Sequence, residues 1–397
     1  MKSVTLPDLS NLKIALVCDW LTEVGGAEKV LLAIHEMFPN APIYTSQFRA
    51  KSAPSEFTGA DVRIGWLNIF PRALRKFISP LRYFYFSHLN LNNYDLVISV
   101  CNAEAKNIKT GTAMHIAYLQ GPPTQYYWGQ YDEYIKNPGF GKLNFLARWG
   151  LKILVKPLRR TDFKAAQKPN YLLANSTYVA DEIKKYYQRD ATVLHPNVDT
   201  ETIVKLVTGV SKKSCTTLRK ELFNDEGFFI IAGRQTNWKR VDLAIEACIR
   251  LDANLLVAGY GAEHQKLVDL AGQNPRIKFL PCYDGTREIV PYFTIAQTFI
   301  FPSFEPFGIT PVEALAAGVP VVALARGGAL DFVSEGKNGL FFKEQNVDNL
   351  MTALQKVSKM KFSGRTIQSS AQKFSKSNFK RNLNNILVQK LAARHDR

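Results

Sequence analysis

Cysteines are few in this sequence and widely spaced. There are five of them, at positions 18, 101, 215, 248 and 282, and no two form a CxxC pair. Disulfide-stabilised secreted domains need an even set of cysteines, and structural zinc sites need closely spaced ones. The pattern therefore argues against both classes of protein and indicates a reducing compartment.

Long apolar runs are also absent. No stretch reaches the roughly 18 apolar residues that a membrane-spanning helix needs. Residues 1–12 lack the basic start and the apolar core that are typical of a signal peptide. We therefore expect a cytoplasmic protein whose contact with a membrane, at the inner face of the cell membrane, is peripheral.

Acidic residues are outnumbered by basic ones. The chain has 51 Lys and Arg against 34 Asp and Glu, which gives a net charge of +17. Such an excess favours a polyanionic partner, which can be nucleic acid, an anionic membrane surface or a phosphorylated substrate. No nucleic-acid-binding motif accompanies the charge, so nucleic acid is not predicted as a partner.

The apolar residues follow the pattern of an α/β protein. A length of 397 residues fits two such domains. Short apolar runs followed by helical periodicity are typical of parallel strands with crossover helices. We predict two Rossmann-like domains joined by polar residues 194–200 and 209–220. The predicted strands are residues 13–19, 95–100, 115–119 and 171–175, then 228–233, 255–259, 277–280, 298–301 and 320–324.

Two carboxylates lie eight residues apart in FPSFEPFGITPVEALAAGVPVV, residues 301–322. A strand ends at the start of this segment, a loop carries Glu305, and a helix with Pro311 in its first turn contains Glu313. Both side chains can face one ligand and accept hydrogen bonds from the diols of a sugar or a ribose. The ordinary alternative is a loop residue and a solvated helix residue.

The start of the same helix offers backbone amides. Free N–H groups around Phe307, Gly308 and Ile309 can hold an anionic oxygen, and Gly308 lets a ligand approach closely. A comparable start follows the first predicted strand, where Gly25 and Gly26 precede a helix. That turn is not a GxGxxG sequence, which weakens a nicotinamide or flavin interpretation.

Two cations follow the apolar run 228–233. Arg234 comes directly after it, and Lys239 lies five residues further on. Open parallel sheets bind their ligands at the carboxyl ends of the strands. Arg234 can therefore fork onto diphosphate oxygens while Lys239 acts as a point charge. A surface pair without a ligand is the alternative.

Together these motifs resemble the family 4 glycosyltransferases, which are retaining enzymes with the GT-B fold, two Rossmann-like domains facing each other across a cleft. The resemblance covers nearly the whole chain and includes Gly327, Gly328 and the final FSKSNF. It implies an acceptor-side domain over residues 1–200 and a nucleotide-sugar-binding domain over residues 201–373. A C-terminal helix within residues 374–397 is expected to return to the first domain.

The resemblance also implies roles for individual residues. Arg234 and Lys239 are expected to bind the donor diphosphate and stabilise the leaving group, while Glu305 binds the transferred sugar. Cys282 and Tyr283 are expected near the base, and Glu313 on the ribose. No metal or other cofactor is implied, because the nucleotide-sugar is a substrate. The full expected donor-binding set is Gly25, Gly26, Cys282, Tyr283, Phe307, Gly308, Ile309, Thr310 and Glu313.

The segment EPFGITPVEALAAG, followed by ARGGALDFV, is most similar to bacterial mannosyltransferases that use GDP-mannose. The expected function is retaining transfer of a hexose, mannose from GDP-mannose, to a glycan or polyprenyl-pyrophosphate-linked glycan in polysaccharide biosynthesis. A UDP-sugar-dependent transferase and a non-catalytic nucleotide-sugar-binding protein are the alternatives. Epimerases and sugar phosphorylases share the two-domain plan but not the pairing of GR-x4-K with Glu-x7-Glu.

One position departs from the family pattern. Relatives commonly have a His after the strand that corresponds to residues 115–119, whereas this chain reads QGPPTQYYW over residues 120–128. Gln120 or Gly121 occupies the place of that His. Retaining transfer in this family is thought to depend on leaving-group stabilisation and same-face attack more than on a side-chain base, so the change does not imply inactivity.

Residues 142–164 are basic and periodic. They contain a single acidic residue, Asp162, and their apolar residues, among them Leu146, Trp149 and Ile153, fall near one side of a helix. Residues 71–86 have a similar composition. Two interpretations stay open for both segments: a helix packed on its own domain with a solvated basic face, or a basic amphipathic surface that binds an anionic membrane.

Overall fold

The computed structural model describes residues 9–395 apart from 24, 51, 72–73, 75–77, 102, 125–127, 130, 137–143 and 282–285. These residues form two compact units. One contains the described residues up to Pro196 together with those from Lys380 onward, and the other contains Asn197–Phe379. The boundaries expected from the sequence, after residues 200 and 373, lie a few residues from these.

The first unit is built around a parallel sheet. Within the described residues its strand order is β3-β2-β1-β4-β5-β6-β7. The strands are β1 (Ile14–Cys18), β2 (Ile43–Thr45), β3 (Val62–Ile64), β4 (Leu96–Cys101), β5 (Met114–Leu119), β6 (Tyr171–Ala174) and β7 (Thr192–Val193). The helices are α1 (Gly26–His35), α2 (Ser79–His88), α3 (Tyr131–Lys136), α4 (Asn144–Ala166) and α5 (Thr177–Tyr187).

The second unit repeats the plan with a sheet of order β10-β9-β8-β11-β12-β13. Its strands are β8 (Phe228–Ala232), β9 (Asn254–Ala258), β10 (Ile277–Leu280), β11 (Thr298–Phe301), β12 (Val321–Leu324) and β13 (Gly339–Phe342). Its helices are α6 (Thr200–Gly209), α7 (Lys212–Phe223), α8 (Val241–Arg250), α9 (His264–Ala271), α10 (Thr286–Phe293), α11 (Ile309–Ala316), α12 (Ala329–Phe332), α13 (Val347–Ser358) and α14 (Gly364–Ala371). Both strand orders are doubly wound, so the predicted α/β class with two Rossmann-like sheets is confirmed.

Alternate residues of each central strand bury into opposite layers. On β8, Phe228 and Ile230 pack into one apolar cluster of the second unit, and Phe229 and Ile231 pack into the other. A strand that is covered on both faces is apolar at nearly every position. This is why the central strands were recognisable in the sequence as continuous apolar runs.

Four strands were not predicted, because each is short or lacks a continuous apolar run. β3 lies at the edge of its sheet, where Arg63 and Ile64 are exposed, and β7 has 2 residues. β13 begins with Gly339, where a side chain is excluded because a Cβ atom would lie 2.1 Å from the carbonyl oxygen of Val321. A glycine weakens the sequence signal of a strand although the close approach requires it.

Polar caps begin several helices. Ser176 accepts a hydrogen bond of 3.1 Å from the amide of Val179 at the start of α5. Asp199 and Ser211 cap α6 and α7 in the same way. The expectation that residues 209–220 form a linker is therefore wrong. They belong largely to α7, whose few apolar residues pack against the core of the second unit.

The last helix, α15 (Lys376–His395), contributes its residues from Lys380 onward to the first unit. The ammonium of Lys380 lies 2.7 Å from the carboxylate of Glu36, just after α1. α4 is the other long helix of this unit, with 23 residues. In the part of the chain that the structure describes, no helix is both long enough and apolar enough to cross a bilayer.

A buried ion pair connects two distant segments of the first unit. The ammonium of Lys106 lies 2.7 Å from Asp162 on α4, and both side chains are almost fully inaccessible. Asp162 also accepts hydrogen bonds from the side chains of Tyr83, Thr124, Trp128 and Tyr187. Burial by itself raises the pKa of Asp162, but Lys106 and these donors hold its pKa below the usual value.

A second buried pair bears on the two interpretations left open for residues 71–86. Residues 71–86 were considered as a basic surface, but Arg82 on α2 is 1% exposed and binds both carboxylate oxygens of Glu104, at 2.9 and 3.0 Å. Its charge is neutralised inside the unit. Phe84 on the same helix is exposed, so only part of this segment fits the interpretation as a basic amphipathic surface.

His115 on β5 is a buried titratable group. Its Nε2 atom lies 2.8 Å from the hydroxyl oxygen of Ser99 on β4, and its Nδ1 atom has no hydrogen-bond partner among the described residues. Burial, together with repulsion from Lys168 and Arg189, lowers the pKa of His115 to about 3. The folded chain therefore holds this ring neutral.

We expect the first unit to lose stability as the pH falls below 6.5, the ordinary pKa of histidine. Below that pH the unfolded chain binds a proton that the folded ring rejects, so the free energy of unfolding falls by about 1.4 kcal/mol per pH unit. The loss by pH ~5 is about 2 kcal/mol. Urea denaturation of the wild type and of His115→Gln at several pH values measures it. Equal pH slopes in the two proteins would contradict the assignment.

Candidate active site

The second sheet has a crevice where its strand order reverses. β8 lies next to β9 on one side and β11 on the other, so the crossover connections diverge at the carboxyl ends of β8 and β11. A concavity that is open to solvent lies there, lined by both strands and the loops that follow them. The structure places four polar residues around it: Arg234, Lys239, Ser303 and Thr310.

Lys239 and Glu305 form an ion pair at this crevice. The Nζ atom of Lys239 lies 2.7 Å from Oε1 of Glu305, and the hydroxyl of Ser303 donates to the same oxygen at 2.6 Å. The two side chains are 23% and 16% exposed, so the pair is reachable from solvent. Lysine has three N–H donors. Two of them remain for a ligand when one is used by Glu305.

The pair unites residues from two separate motifs. Lys239 ends the short 3-10 turn Asn237–Lys239 that precedes α8, and Glu305 belongs to the loop between β11 and α11. Arg234 follows β8 directly and is exposed. The sequence suggested both a carboxylate site and a cationic site, and the fold brings them into contact.

The start of α11 adds backbone donors to the crevice. Gly308 is the N-cap residue, has a φ of 102°, and supplies no side chain to cap the first amides. A Cβ atom at this position would lie 2.7 Å from the ring of Phe301, so both the conformation and the space require glycine. Glu313, one turn into α11, is 7% exposed and therefore not a solvated surface residue.

Gly327 and Gly328 pack against the loop that carries Glu305. The amide of Gly328 donates to the carbonyl oxygen of Glu305 at 3.0 Å. A Cβ atom at Gly328 would lie 2.3 Å from the Cα atom of Phe307. No side chain fits this approach, so the two glycines fix the position of the loop.

Replacing Gly328 by alanine is expected to displace this loop and to lower turnover by about 10²-fold, the scale on which a misplacement of ~1 Å acts. Gly364→Ala is the matched control, because a Cβ atom at Gly364 meets no atom within 4 Å. Transfer kinetics and a thermal melt of each variant measure the effect. Wild-type turnover in folded Gly328→Ala would show that the contact does not position the site.

The first sheet has its own reversal point, between β1 and β4. Asp19 follows β1, and its carboxylate accepts hydrogen bonds from the backbone amides of Ala103, Glu104 and Ala105 at 2.7 to 3.0 Å. Gly25 is the N-cap of α1, which begins at Gly26. Both glycines thus belong to the first unit and lie at the carboxyl edge of its sheet, as the sequence pattern predicted.

Gln120 contacts the start of α1. Its side-chain amide donates to the carbonyl oxygen of Ala27 at 3.2 Å. Gln120, one of the two residues considered in place of the expected histidine, therefore lies beside the helix that follows Gly25 and Gly26. Two further residues of this edge were not singled out as functional from the sequence. Asn175 donates to the carbonyl oxygen of Gln120 at 2.5 Å, and His195 lies 3.3 Å from the carbonyl oxygen of Asn175.

A shared position could have revealed these residues in the sequence. Gln120, Asn175 and His195 each follow a strand of the first sheet within two residues, and the polar residue after a parallel strand is a favoured place for ligand contacts.

The predicted donor residues Cys282 and Tyr283 lie outside the described residues.

The C-terminal part of the chain matches a known family. Residues 216–381 match the family model of the glycosyl transferases group 1. An uncharacterized glycosyltransferase of Methanocaldococcus jannaschii is 30% identical over 142 residues, covering 34% of this chain and 36% of the relative. An alpha-1,3/1,6-mannosyltransferase of Dictyostelium discoideum is 28% identical over 260 residues, covering 55% and 61%. The chain thus spans about a third to three fifths of these curated relatives.

A solved structure shows the same fold. Anabaena HepE in complex with UDP-glucose matches 96% of this chain and 100% of its own with a TM-score of 0.67, at 18% identity. The match to the family model includes Arg234, Lys239, Glu305 and Glu313. Residues 216–381 are therefore similar to a glycosyl transferases group 1 domain, in a chain that has the GT-B fold.

Proposed function

We propose that this protein is a retaining glycosyltransferase that moves a hexose from a nucleoside-diphosphate sugar to a glycan acceptor. The observation that carries the proposal is the contact between Lys239 and Glu305 at the reversal point of the second sheet, beside the uncapped start of α11. One crevice thereby offers cations and amides for a diphosphate and a carboxylate for sugar hydroxyls.

The proposed chemistry depends on the charge of the leaving group. The bond between the sugar carbon and the diphosphate oxygen breaks, and a bond to the acceptor hydroxyl oxygen forms on the same face of the ring. The hydroxyl proton passes to the departing diphosphate. Negative charge grows on that diphosphate in the transition state, so cations placed beside it accelerate the step. Arg234 and Lys239 have this role in the proposal.

The two carboxylates have different roles in the proposal. Glu305 binds the transferred sugar, and its contact with Lys239 couples the position of the sugar to that of the diphosphate. Its Oε2 atom has no hydrogen-bond partner among the described residues and can accept a sugar hydroxyl. Glu313 holds the donor ribose. The amides of residues 307–310 add phosphate contacts in the proposal.

Mannose from GDP-mannose is the proposed donor sugar. It is supported by the sequence over residues 305–331 and by the mannosyltransferase among the relatives. A UDP-sugar is the second candidate, because HepE is a structural neighbour that was solved with UDP-glucose. The proposed acceptor is a polyprenyl-pyrophosphate-linked glycan, which places the protein peripherally at the inner face of the cell membrane.

A panel of nucleotides tests the donor. We expect GDP and GDP-mannose to raise the melting temperature more than UDP, ADP and their sugars do, because a ligand at ~100 times its dissociation constant adds about 2.7 kcal/mol to the free energy of unfolding. If UDP-glucose raises the melting temperature more than GDP-mannose does, the proposed donor is a UDP-sugar and not GDP-mannose. Release of free sugar or transfer to a lipid-linked acceptor separates an enzyme from a non-catalytic binder, which would bind the donor and leave it intact.

A further inference from the structure

Helix α4 exposes a row of large apolar side chains. Phe145, Leu146, Trp149, Ile153 and Leu154 are between 46% and 67% exposed. Helices of a globular domain normally turn such residues toward the core. Here the helix is anchored by other residues, among them the buried Val155, Asp162 and Ala165. The exposed apolar residues are therefore not the ones that pack this helix against its own domain.

A row of cations runs beside the apolar row. Arg148, Lys152, Lys156, Arg160 and Lys164 are spaced four residues apart and are all exposed. Three of them come three residues after Phe145, Trp149 and Ile153, and residues at that spacing are neighbours on a helix surface. At 1.5 Å per residue the basic row is about 24 Å long. We call the two rows together the α4 surface.

The α4 surface carries no exposed acid. The acidic residue of the helix, Asp162, is fully buried and bound to Lys106. An ordinary solvated helix face mixes charges of both signs, and such mixing is what stabilises it in water. In α4 the negative charge is buried, whereas the positive charges of the basic row are exposed.

Helix α7 shows that basic composition alone does not produce this pattern. It also has exposed lysines, Lys213 and Lys220. Its apolar residues Cys215, Leu218 and Leu222, however, pack against the core of the second unit. Exposed apolar side chains next to exposed cations are therefore a property of α4 and not of every basic helix in the chain.

We propose that the α4 surface docks on an anionic lipid bilayer. The apolar row enters the boundary between headgroups and acyl chains, and the basic row meets the lipid phosphates. A soluble polyanion would use the cations and leave Trp149 and Ile153 in water. A second copy of this chain would bring two positive rows together, which repel. The inference rests on the proposed function for its purpose, access to a lipid-linked acceptor, but its test needs no transfer activity.

Co-sedimentation with vesicles tests the basic row. Each Lys or Arg near an anionic surface contributes about 1 kcal/mol, or roughly fivefold in partitioning. We expect the double variant Lys152→Gln/Lys156→Gln to bind vesicles of phosphatidylcholine and phosphatidylglycerol about 25-fold more weakly than the wild type. Lys213→Gln/Lys220→Gln on α7 changes the net charge equally and should bind as the wild type does. Binding should fall as salt rises, because the attraction is screened.

Fluorescence tests the apolar row. Lipids brominated on their acyl chains are expected to quench part of the tryptophan emission of the wild type. In Trp149→Phe, which stays apolar, vesicle binding should persist while that quenching is lost. Quenching in Trp149→Phe equal to that of the wild type would place another tryptophan in the membrane and overturn the proposal.

Other results would also overturn it. These are equal binding to vesicles of phosphatidylcholine alone, equal loss in the α4 and α7 double variants, and a concentration-dependent dimer that Trp149→Phe abolishes. Stabilisation by nucleotide sugars, measured on the same variants, reports the donor site separately. If the wild type does not bind the anionic vesicles but is stabilised by nucleotide sugars, the docking surface alone is refuted. If it binds the vesicles but no nucleotide sugar stabilises it, the proposed function alone is refuted.

Discussion

Replacing Lys239 by alanine is expected to lower turnover by about 10² to 10³-fold at saturating donor, the effect of removing one preorganised electrostatic donor. The side chain contacts Glu305 at 2.7 Å and lines the crevice between β8 and β11. Its removal takes a cation from the developing charge on the diphosphate and also frees the carboxylate that orients the sugar. Arg234→Ala should have an effect of the same size on turnover.

A matched control separates this effect from a general change of charge. Lys266 on α9 is also a lysine of the second unit, is exposed, and pairs with Glu263 at 3.0 Å. Lys266→Ala should leave turnover unchanged. If Arg234→Ala and Lys239→Ala remain folded and both keep near-normal turnover, the leaving-group site is wrong.

The two carboxylates should separate in the same kinetics. Glu305→Gln keeps the size of the side chain but removes the charge that holds Lys239, so turnover should fall through misplacement of the sugar. Glu313→Gln should weaken donor binding and raise KM, with a smaller effect on kcat. The opposite assignment of effects would exchange the proposed roles of the two residues.

The largest expected effect on stability is at Asp162. Replacing it by alanine should lower the free energy of unfolding of the first unit by about 3 to 5 kcal/mol, because Lys106 is then left charged and buried without its partner. The hydroxyl groups of Tyr83 and Tyr187 and the indole N–H of Trp128 also lose their acceptor. An unsatisfied buried donor adds its own cost.

Native-state hydrogen exchange measures this change within one unit, at the amides of β4 and β5, which exchange through the larger openings of the domain. The control is the ion pair between Arg63 and Asp61, whose side chains are about half exposed. Asp61→Ala should cost at most about 1 kcal/mol. The double variant Lys106→Met/Asp162→Leu should recover much of the loss, since an apolar pair of similar volume can replace a buried ion pair. An equal loss at Asp61 and Asp162 would contradict the argument.

The central strands were predictable because their burial on both faces leaves a local trace. β1 and β4 are buried at every position, so β1 is an unbroken apolar run and β4 is interrupted only by Ser99. β3 and β7 leave no such trace, because an edge position requires little apolar sequence. Helix α7 was missed for a related reason: a surface helix with one narrow packed side is mostly polar, and its composition is that of a linker.

The site was predictable as separate motifs and not as an arrangement. Each motif lies within one loop or at one helix start, so it can be recognised in a short stretch of the sequence. These motifs are Gly308, the two cations after β8 and the two glutamates. The hydrogen bond between Gln120 and the start of α1 joins residues 93 positions apart. No local pattern contains a contact of that kind.

The sequence alone determined the class of the protein: two parallel sheets, with cations after β8 and glutamates after β11, in a basic chain with one strongly amphipathic segment. These properties follow from the order and spacing of residue types along a strand or a helix. Only the tertiary structure decided which charges are available. It placed Lys239 on Glu305, buried Arg82 against Glu104, and hid Asp162 while it left the cations of α4 exposed. Partners from distant segments determine whether a charge is neutralised, buried or presented, and their proximity exists only after the sheets have formed.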